Sequence, residues 1–257
     1  MLLGFTPPYT KSGRSALVQA PPWHYAGRIV SLAAELESTL ADQFLPSGFG
    51  SSTGRAFGHF CEWQATTDGS ELCDPIYSQY EEFFYLLEAK RDGELRLFCP
   101  FIYVNQDISM IRGMLQGWPK KMGSIWITRS YDLDHPAAAR NCTGTEMGAT
   151  LAAKDRRLAE AKWKLTGRKG SPIGFLATPT YGLVGSPSVI QKPNAGSQTL
   201  VKQAVSTTAI GPVFEATGAL KLFDSPRDEL GKLAPSATTE VTLCDFALTV
   251  TGVTEAE

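Results

Sequence analysis

Glycine and proline interrupt this chain at short intervals, and that spacing restricts the fold more than any other feature of the sequence. The 257 residues include 24 glycines and 16 prolines. Both residues are unfavourable inside helices and common in turns, so their frequency favours many short strands over long helices. A chain of this length, with 43% hydrophobic and 19% charged residues, can bury one large core or two smaller ones.

Strand-like segments recur along the chain between turn-forming residues. We predict strands over 28–32, 82–88, 95–104, 124–128 and 239–251. A hairpin turn at 91–93 would join the second and third of these. Residues 149–165 are rich in Ala, Lys and Arg, which suits a helix, but apolar and charged residues alternate through the second half. This period of two predicts a hairpin that turns near Lys154 and Asp155.

Short helices are expected at 35–44 and 107–115, where apolar residues recur at helical spacing. In the second helix Ile108, Ile111 and Leu115 would form the buried side, and Gly117 would end it.

The remaining long segment, 167–196, is rich in Gly, Pro and Ser, which predicts a surface excursion. No linker or repeat divides the chain. We therefore expect one domain over residues 1–257, mainly β (α+β), with a closed or nearly closed antiparallel or mixed β-barrel and a few short peripheral helices.

Composition argues against several functional classes. The net charge of −2 shows no bias toward nucleic acid, and the basic residues form no stripe. The five cysteines are odd in number and form no C-x-x-C pair, which indicates reduced thiols and a cytoplasmic protein. The longest nearly apolar run, 97–104, is far too short to span a membrane. The three histidines lie far apart, so no metal site is expected.

The sequence lacks the common nucleotide-binding, zinc-protease and serine-hydrolase motifs, and its chemically unusual segment is R-G-M-L-Q-G-W-P-K-K-M-G at 112–123. It places two ammonium groups, Lys120 and Lys121, side by side. A desolvated lysine beside a second cation loses its proton more readily, and the neutral amine can attack a carbonyl to form a Schiff base. Lysine pairs are also common on protein surfaces. Adjacent residues of a regular strand point to opposite faces, so both lysines would share a cavity only in an irregular segment, which Pro119 favours.

This segment and several other stretches resemble the acetoacetate decarboxylase-like family. G-W-P-K-K-M-G is similar to the family signature of an aromatic residue, Pro, Lys, Lys, a hydrophobic residue and Gly. P-P-W-H-Y-A-G, L-P-S-G-F, F-C-E-W-Q, Y-S-Q-Y-E-E and C-P-F-I-Y-V match in the same order along the chain. The resemblance implies that Lys120 is the Schiff-base nucleophile, that Lys121 lowers its pKa, and that the enzyme is a homo-oligomer that needs no cofactor.

Some residues depart from the decarboxylases of this family. Their Y-x-E step corresponds to Tyr77-Ser78-Gln79, and their G-R-E step to Arg112-Gly113-Met114. Tyr80 and Gln116 instead resemble positions of a branch that keeps the Schiff-base lysine but performs aldol condensation and dehydration of keto acids. That branch has a tyrosine in the last strand, where this chain has Leu248.

Eight residues are candidates for the site. The catalytic candidates are Lys120, Lys121, Glu62, Tyr80 and Gln116, of which Glu62 matches a family carboxylate position. The candidates for substrate binding are His24 in the N-terminal aromatic loop, Gln79 in the altered Y-x-E step, and Glu82. Strand alternation would place Glu82, and not Glu81, on the same face as Tyr80.

The expected function is that of a Schiff-base-forming lyase acting on a small keto acid or a related carbonyl compound. Aldol or dehydration chemistry is favoured, because the groups that handle the departing carboxylate in the decarboxylases are altered. Decarboxylation of a β-keto acid is the alternative, since the iminium can itself accept the electrons left by CO2. A non-catalytic barrel that binds a small molecule is a third possibility. Neither nucleic acid nor a membrane is an expected partner.

Overall fold

The computed structural model describes residues 1–185 and 198–256, and strands dominate them. The strands are β1 Trp23–Glu35, β2 Ser51–Thr66, β3 Gln79–Arg91, β4 Glu94–Val104, β5 Lys120–Met122, β6 Ser124–Ile127, β7 Glu146–Ala153, β8 Arg156–Lys169, β9 Thr180–Val184, β10 Thr199–Ile210, β11 Phe214–Leu222 and β12 Ala237–Glu255. The helices are α1 Ser38–Asp42, α2 Pro75–Ser78 and α3 Asp107–Leu115, with short 3-10 turns at Ser70–Cys73, Gly174–Leu176 and Leu230–Leu233.

Seven strands close into a ring. Their hydrogen-bonded order is β1-β2-β3-β4-β9-β10-β12, and β12 pairs back onto β1. Most pairs are antiparallel, whereas β4 runs parallel to both β5 and β9. The predicted mainly β architecture, with a closed mixed sheet and few helices, is confirmed.

A second layer branches from β12. Strands β11, β8, β7 and β6 continue the sheet from that strand, and β6 then contacts β2, β3 and β4. Because this layer covers one side of the ring, β3 is buried on both faces. Phe83, Tyr85 and Leu87 belong to a core shared with the second layer, while Phe84 and Leu86 belong to a core inside the ring.

The local predictions were confirmed at the hairpins. Asp92 and Gly93 turn between β3 and β4 with φ of 53° and 88°, and Lys154 and Asp155 turn between β7 and β8 with φ of 50° and 59°. The left-handed values explain why Asp and Gly, which tolerate this conformation, are found there.

Other predictions need correction. The first helix is shorter than 35–44 and comprises Ser38–Asp42. The long surface excursion is wrong in its first part, because β8 extends to Lys169 and β9 occupies Thr180–Val184. The rest of that predicted segment, 186–196, lies outside the described residues. Within the described ranges, no helix is long and apolar enough to cross a membrane.

Helix α3 has the predicted bounds, and Gly117 follows it with φ of 86°. Its buried side, however, consists of Ser109, Arg112 and Gly113. The isoleucines that we expected there are only half-buried, and Leu115 is exposed. The helix therefore turns a small and polar face toward the interior of the ring.

Candidate active site

Lys120 points into the ring. Residues 120–122 form a regular three-residue strand, in which Lys120 lies opposite Ile102 of β4. Only 9% of the side chain is exposed. Its Nζ donates to Glu82 Oε2 at 2.5 Å and to Ser109 Oγ at 3.0 Å. The amine is thus buried, oriented and paired with one carboxylate.

Glu82 reaches Lys120 because side chains of β3 alternate between the two faces of the strand, and Glu82 is on the inner face. Tyr80, Glu82 and Phe84 are successive inward-facing residues of this strand, as the period of two predicts. Glu82 is 4% exposed, and its second oxygen accepts a hydrogen bond from Trp63 Nε1 at 3.1 Å. With donors on both oxygens, the carboxylate is held in a single orientation.

Helix α3 packs against the stem of Lys120. Ser109 lies three and four residues before Arg112 and Gly113, and Gln116 lies four and three residues after them, so all share one face of the helix. A Cβ atom on Gly113 would lie 2.3 Å from Cδ and 2.4 Å from Cε of Lys120. The stem of Lys120 therefore occupies the space that any larger side chain at position 113 would need.

A polar cluster lies beyond Lys120 at the end of this helix. Gln116 Nε2 donates to the Tyr25 hydroxyl at 3.4 Å and to the Arg112 carbonyl at 3.2 Å. The guanidinium of Arg112 lies 5.7 Å from the Tyr25 ring centroid and is 5% exposed. Its buried Nε has no hydrogen-bond partner among the described residues. A buried cation with an unused donor is suited to bind an anionic group.

Tyr80 lies between this cluster and Lys120. The Nζ atom of Lys120 is 5.5 Å from the centre of the Tyr80 ring. Burial, together with the nearby charge of Glu82, raises the pKa of Tyr80 well above its usual value of 10, although Arg112 and Ser109 act in the other direction. The phenol therefore stays protonated at neutral pH and is available to donate a hydrogen bond.

Lys120, Glu82, Tyr80 and the Tyr25–Gln116 pair line a cavity of about 420 Å³, counting its open mouth, and Arg112 and Ser109 lie behind this lining. The lining residues are Tyr25, Trp63, Tyr80, Glu82, Phe84, Ile102, Gln116, Trp118, Lys120, Phe175, Gln203, Leu248 and Val250. Across the described part of the chain, no three His, Cys, Asp or Glu side chains converge in a way that could hold a metal ion.

Lys121 does not face this cavity. Its Nζ donates to Asp228 Oδ2 at 2.6 Å and lies over the rings of Phe101 and Tyr103, which belong to the core under the second layer. The segment is a regular strand, so the expectation that an irregular path brings both lysines to one cavity is corrected. Direct repulsion between the two ammonium groups inside the cavity is not supported by this geometry.

Three other candidates also lie outside the cavity. Glu62 and Gln79 line a separate surface groove with Arg28 and Arg129, because strand alternation turns Trp63 inward and Glu62 outward. Partial burial raises the pKa of Glu62, although Arg28 and Arg129 oppose this shift.

His24 is exposed on the outer face of β1, where its Nδ1 forms a hydrogen bond with Thr249 Oγ1 at 3.0 Å. Its neighbour Tyr25 takes the inward place. The expected roles of Glu62, Gln79 and His24 at the reacting carbonyl therefore find no support in their positions.

Several residues in or next to the cavity were not recognised in the sequence. Arg112 and Ser109 were overlooked because we selected the buried side of α3 by hydrophobicity, whereas this helix buries polar groups. Their spacing from Gln116, at i−4 and i−7, was the available signal. Tyr25 was hidden beside His24, and nothing in the local pattern of Gln203 or Phe175 marked them as lining residues.

The structure of the chain is similar to several solved enzyme structures. The enduracididine biosynthesis enzyme MppR complexed with pyruvate is 28% identical, with a TM-score of 0.92 and coverage of 99% of this chain and 98% of that one. MppR with the condensation product of pyruvate and imidazole 4-carboxaldehyde matches at 28% identity and a TM-score of 0.93, covering 99% and 97% of the two chains. An acetoacetate decarboxylase-like enzyme from Sphingomonas wittichii RW1 shares the fold at 21% identity, with a TM-score of 0.90 and coverage of 99% and 100%.

No curated protein sequence gives a significant match. The sequence profile of the acetoacetate decarboxylase (ADC) family, in contrast, matches residues 6–256. That match spans nearly the whole chain and includes the buried lysine, its carboxylate and the cavity that they line. This chain therefore belongs to the acetoacetate decarboxylase family.

Proposed function

We propose that this protein forms a Schiff base between Lys120 and a small 2-keto acid, and uses the resulting enamine for aldol-type carbon–carbon bond formation and dehydration. The observation that carries this proposal is the contact of 2.5 Å between the buried Lys120 Nζ and Glu82 Oε2. The similarity to MppR, which was solved with pyruvate and with a condensation product of pyruvate, supports the choice of substrate class.

Glu82 provides the base that the first step needs. Lys120 attacks only as a neutral amine, and the adjacent carboxylate can accept its proton without passage through solvent. The nitrogen then adds to the ketone carbon. Glu82 returns this proton to the hydroxyl of the carbinolamine, which leaves as water, and the remaining iminium ion faces the ionised carboxylate again.

The polar cluster provides a place for the acid group of the substrate. With the ketone carbon bound to Lys120, a carboxylate on that carbon can point toward the polar cluster, where the unused Nε–H of Arg112 can donate to it, and Gln116 can do so in exchange for its 3.4 Å bond to Tyr25. Tyr80 is a protonated donor near the same position. This arrangement would fix the plane of the iminium.

The bond-forming step follows from these positions. Glu82 removes a proton from the carbon next to the iminium, giving an enamine. This carbon attacks the carbonyl carbon of an aldehyde, and the proton on Glu82 passes to the alkoxide as the carbon–carbon bond forms. Loss of a second proton and of the new hydroxyl as water gives the unsaturated product, and hydrolysis of the iminium releases Lys120.

Decarboxylation of a β-keto acid is the second candidate, because the same iminium can accept the electrons of a breaking carbon–carboxylate bond. The donors at Gln116 and Arg112 argue against it, since they stabilise a carboxylate that has to be lost. Release of CO2 from acetoacetate at a rate comparable to condensation would favour decarboxylation over our proposal.

Borohydride trapping tests the shared first step. Pyruvate and sodium borohydride should give one stable adduct on Lys120, located by peptide mass spectrometry, and no adduct in Lys120→Met. A keto-acid panel that leaves Lys120 unmodified would refute the proposal.

Two carboxylates on neighbouring strands provide a matched pair of variants. Glu82→Gln should slow trapping by about 10²–10⁴-fold, because the amine loses its base. Glu62→Gln makes the same chemical change outside the cavity and should trap at the rate of the unmodified protein. Equal losses in the two variants would exclude the assigned role of Glu82.

By family relationship we also propose that the chain forms a homo-oligomer and acts in the cytoplasm. Light scattering on the purified protein tests the assembly, and cell fractionation tests the location.

A further inference from the structure

The cavity has two chemically different ends with Lys120 between them. Along β3 its wall passes from Tyr80 through Glu82 to Phe84, and residues two apart on one strand face lie about 7 Å from each other. Tyr80 lies on the side of Arg112, whose positive charge is close enough to lower the pKa of the phenol. Phe84 lies on the opposite side of the carboxylate that binds Lys120.

The far end is an aromatic box. Phe84 packs edge-on against Trp118 at 6.1 Å and against Phe175 at 5.4 Å between ring centroids, and Trp118 and Phe175 are 6.2 Å apart. Leu248 and Val250 from β12 also line the cavity, but Leu248 pairs with Tyr25 and therefore lies toward the polar end.

Outside the cluster around Lys120, the described lining contains one amide side chain, Gln203, and no charged group. A polar substituent placed in the aromatic box would lose its hydration without gaining a charged partner there.

We propose that the second substrate is an aldehyde with an apolar aromatic or branched aliphatic substituent, which occupies the box formed by Phe84, Trp118 and Phe175. This inference rests on the proposed function and specifies its electrophile. The keto acid occupies the polar end, so the carbon that attacks faces the aromatic end. The bond made is the carbon–carbon bond described above, and no further reactant is needed.

A pair of nearly isosteric variants tests this assignment. Phe175 is half-buried on a 3-10 turn, so its replacement should disturb the fold less than a change in the strands. Leu and Asn have the same number of non-hydrogen side-chain atoms and the same branching, so Phe175→Leu and Phe175→Asn enlarge the box similarly, but only Asn makes it polar. For each variant, kcat/KM is measured with benzaldehyde and with imidazole-4-carboxaldehyde at saturating pyruvate, and the ratio of the two values is compared between variants. The intrinsic reactivities of the aldehydes cancel in that comparison.

The preference for benzaldehyde should be at least about tenfold greater in Phe175→Leu than in Phe175→Asn, in the range that one pocket contact can supply. An equal ratio in the two variants overturns the inference, as does a protein that is trapped by pyruvate but condenses neither aldehyde. Trp118→Leu and Trp118→Asn repeat the test on another ring of the box if Phe175→Asn does not fold.

Borohydride trapping with pyruvate alone separates this inference from the proposed function. Trapping without the expected preference rejects only the apolar electrophile. Absence of trapping in the unmodified protein rejects the Schiff base and the electrophile together.

Discussion

Replacement of Gly113 by alanine should disable the candidate site while leaving most of the protein folded. The new methyl group would lie 2.3–2.7 Å from three carbon atoms of the Lys120 stem. Nonbonded carbons prefer a separation of about 3.5–4.0 Å, so the side chain would have to move by roughly 1 Å. It cannot do so freely, because its Nζ is held by Glu82 at 2.5 Å and by Ser109 at 3.0 Å.

Two effects on stability oppose each other in this variant. Overpacking of a buried site costs about 1–3 kcal/mol, whereas alanine in place of glycine inside a helix returns about 1 kcal/mol. The free energy of unfolding should therefore fall by no more than about 2 kcal/mol. A displacement of about 1 Å at a reacting group can reduce the rate by about 10²-fold, which is our estimate for pyruvate trapping.

The assay combines the rate of borohydride trapping with urea unfolding of the same preparation. Met114→Ala is the control, since it changes the next residue of α3, whose side chain is 48% exposed. It should trap at the rate of the unmodified protein. A folded Gly113→Ala protein that also traps at that rate would show that the stem of Lys120 does not fill the space beside the helix.

Three further outcomes are expected. Lys121→Met should leave the pH dependence of trapping unchanged, because its ammonium pairs with Asp228 on the other face; a shift of about one pH unit or more would restore its role as a perturber of Lys120. Asp228→Asn should lower the free energy of unfolding by roughly 1 kcal/mol at neutral pH. Burial disfavours the charged form of Asp228, but hydrogen bonds from Lys121 and from the Tyr103 hydroxyl outweigh burial and lower the pKa of Asp228. The carboxylate therefore stabilises the fold above its unfolded pKa of about 4. The difference in stability between variant and parent should vanish as the pH falls through the lower folded pKa. A difference that is independent of pH would contradict this assignment. Arg112→Gln should raise the KM for pyruvate by about 10–100-fold and leave trapping of acetone, which has no carboxylate, nearly unaffected; equal losses for both ketones would remove Arg112 from the carboxylate site.

The sequence was sufficient to predict the hairpins, most strands and the importance of the segment that carries Lys120. Turn residues such as Asp92 and Gly93 act locally, through the backbone conformation that they tolerate. The relation between Tyr80 and Glu82 also follows from local geometry, because residues two apart on a strand share a face. Local rules of this kind need no knowledge of the rest of the fold.

The direction in which each strand faces could not be predicted in the same way. A strand that is buried on both sides, such as β3, shows no alternation of apolar and polar residues by which its inner face could be recognised. The choice between Glu62 and Glu82, and between His24 and Tyr25, depends on which face lines the ring. Lys121 posed the same difficulty, since its partner Asp228 lies 107 residues away.

The pairing of β1 with β12 has a consequence for how the protein comes to be active. His24 and Thr249, which meet across this pair, are separated by 225 positions in the chain. Contacts between such distant residues are made late and slowly during folding, because a long loop has to close first. Until β12 has left the ribosome and joined β1 to β10, Leu248 and Val250 are missing from the wall around Lys120. A nascent chain that already carries both lysines should therefore be unable to retain a keto acid, because the amine of Lys120 stays open to water until the last strand is in place.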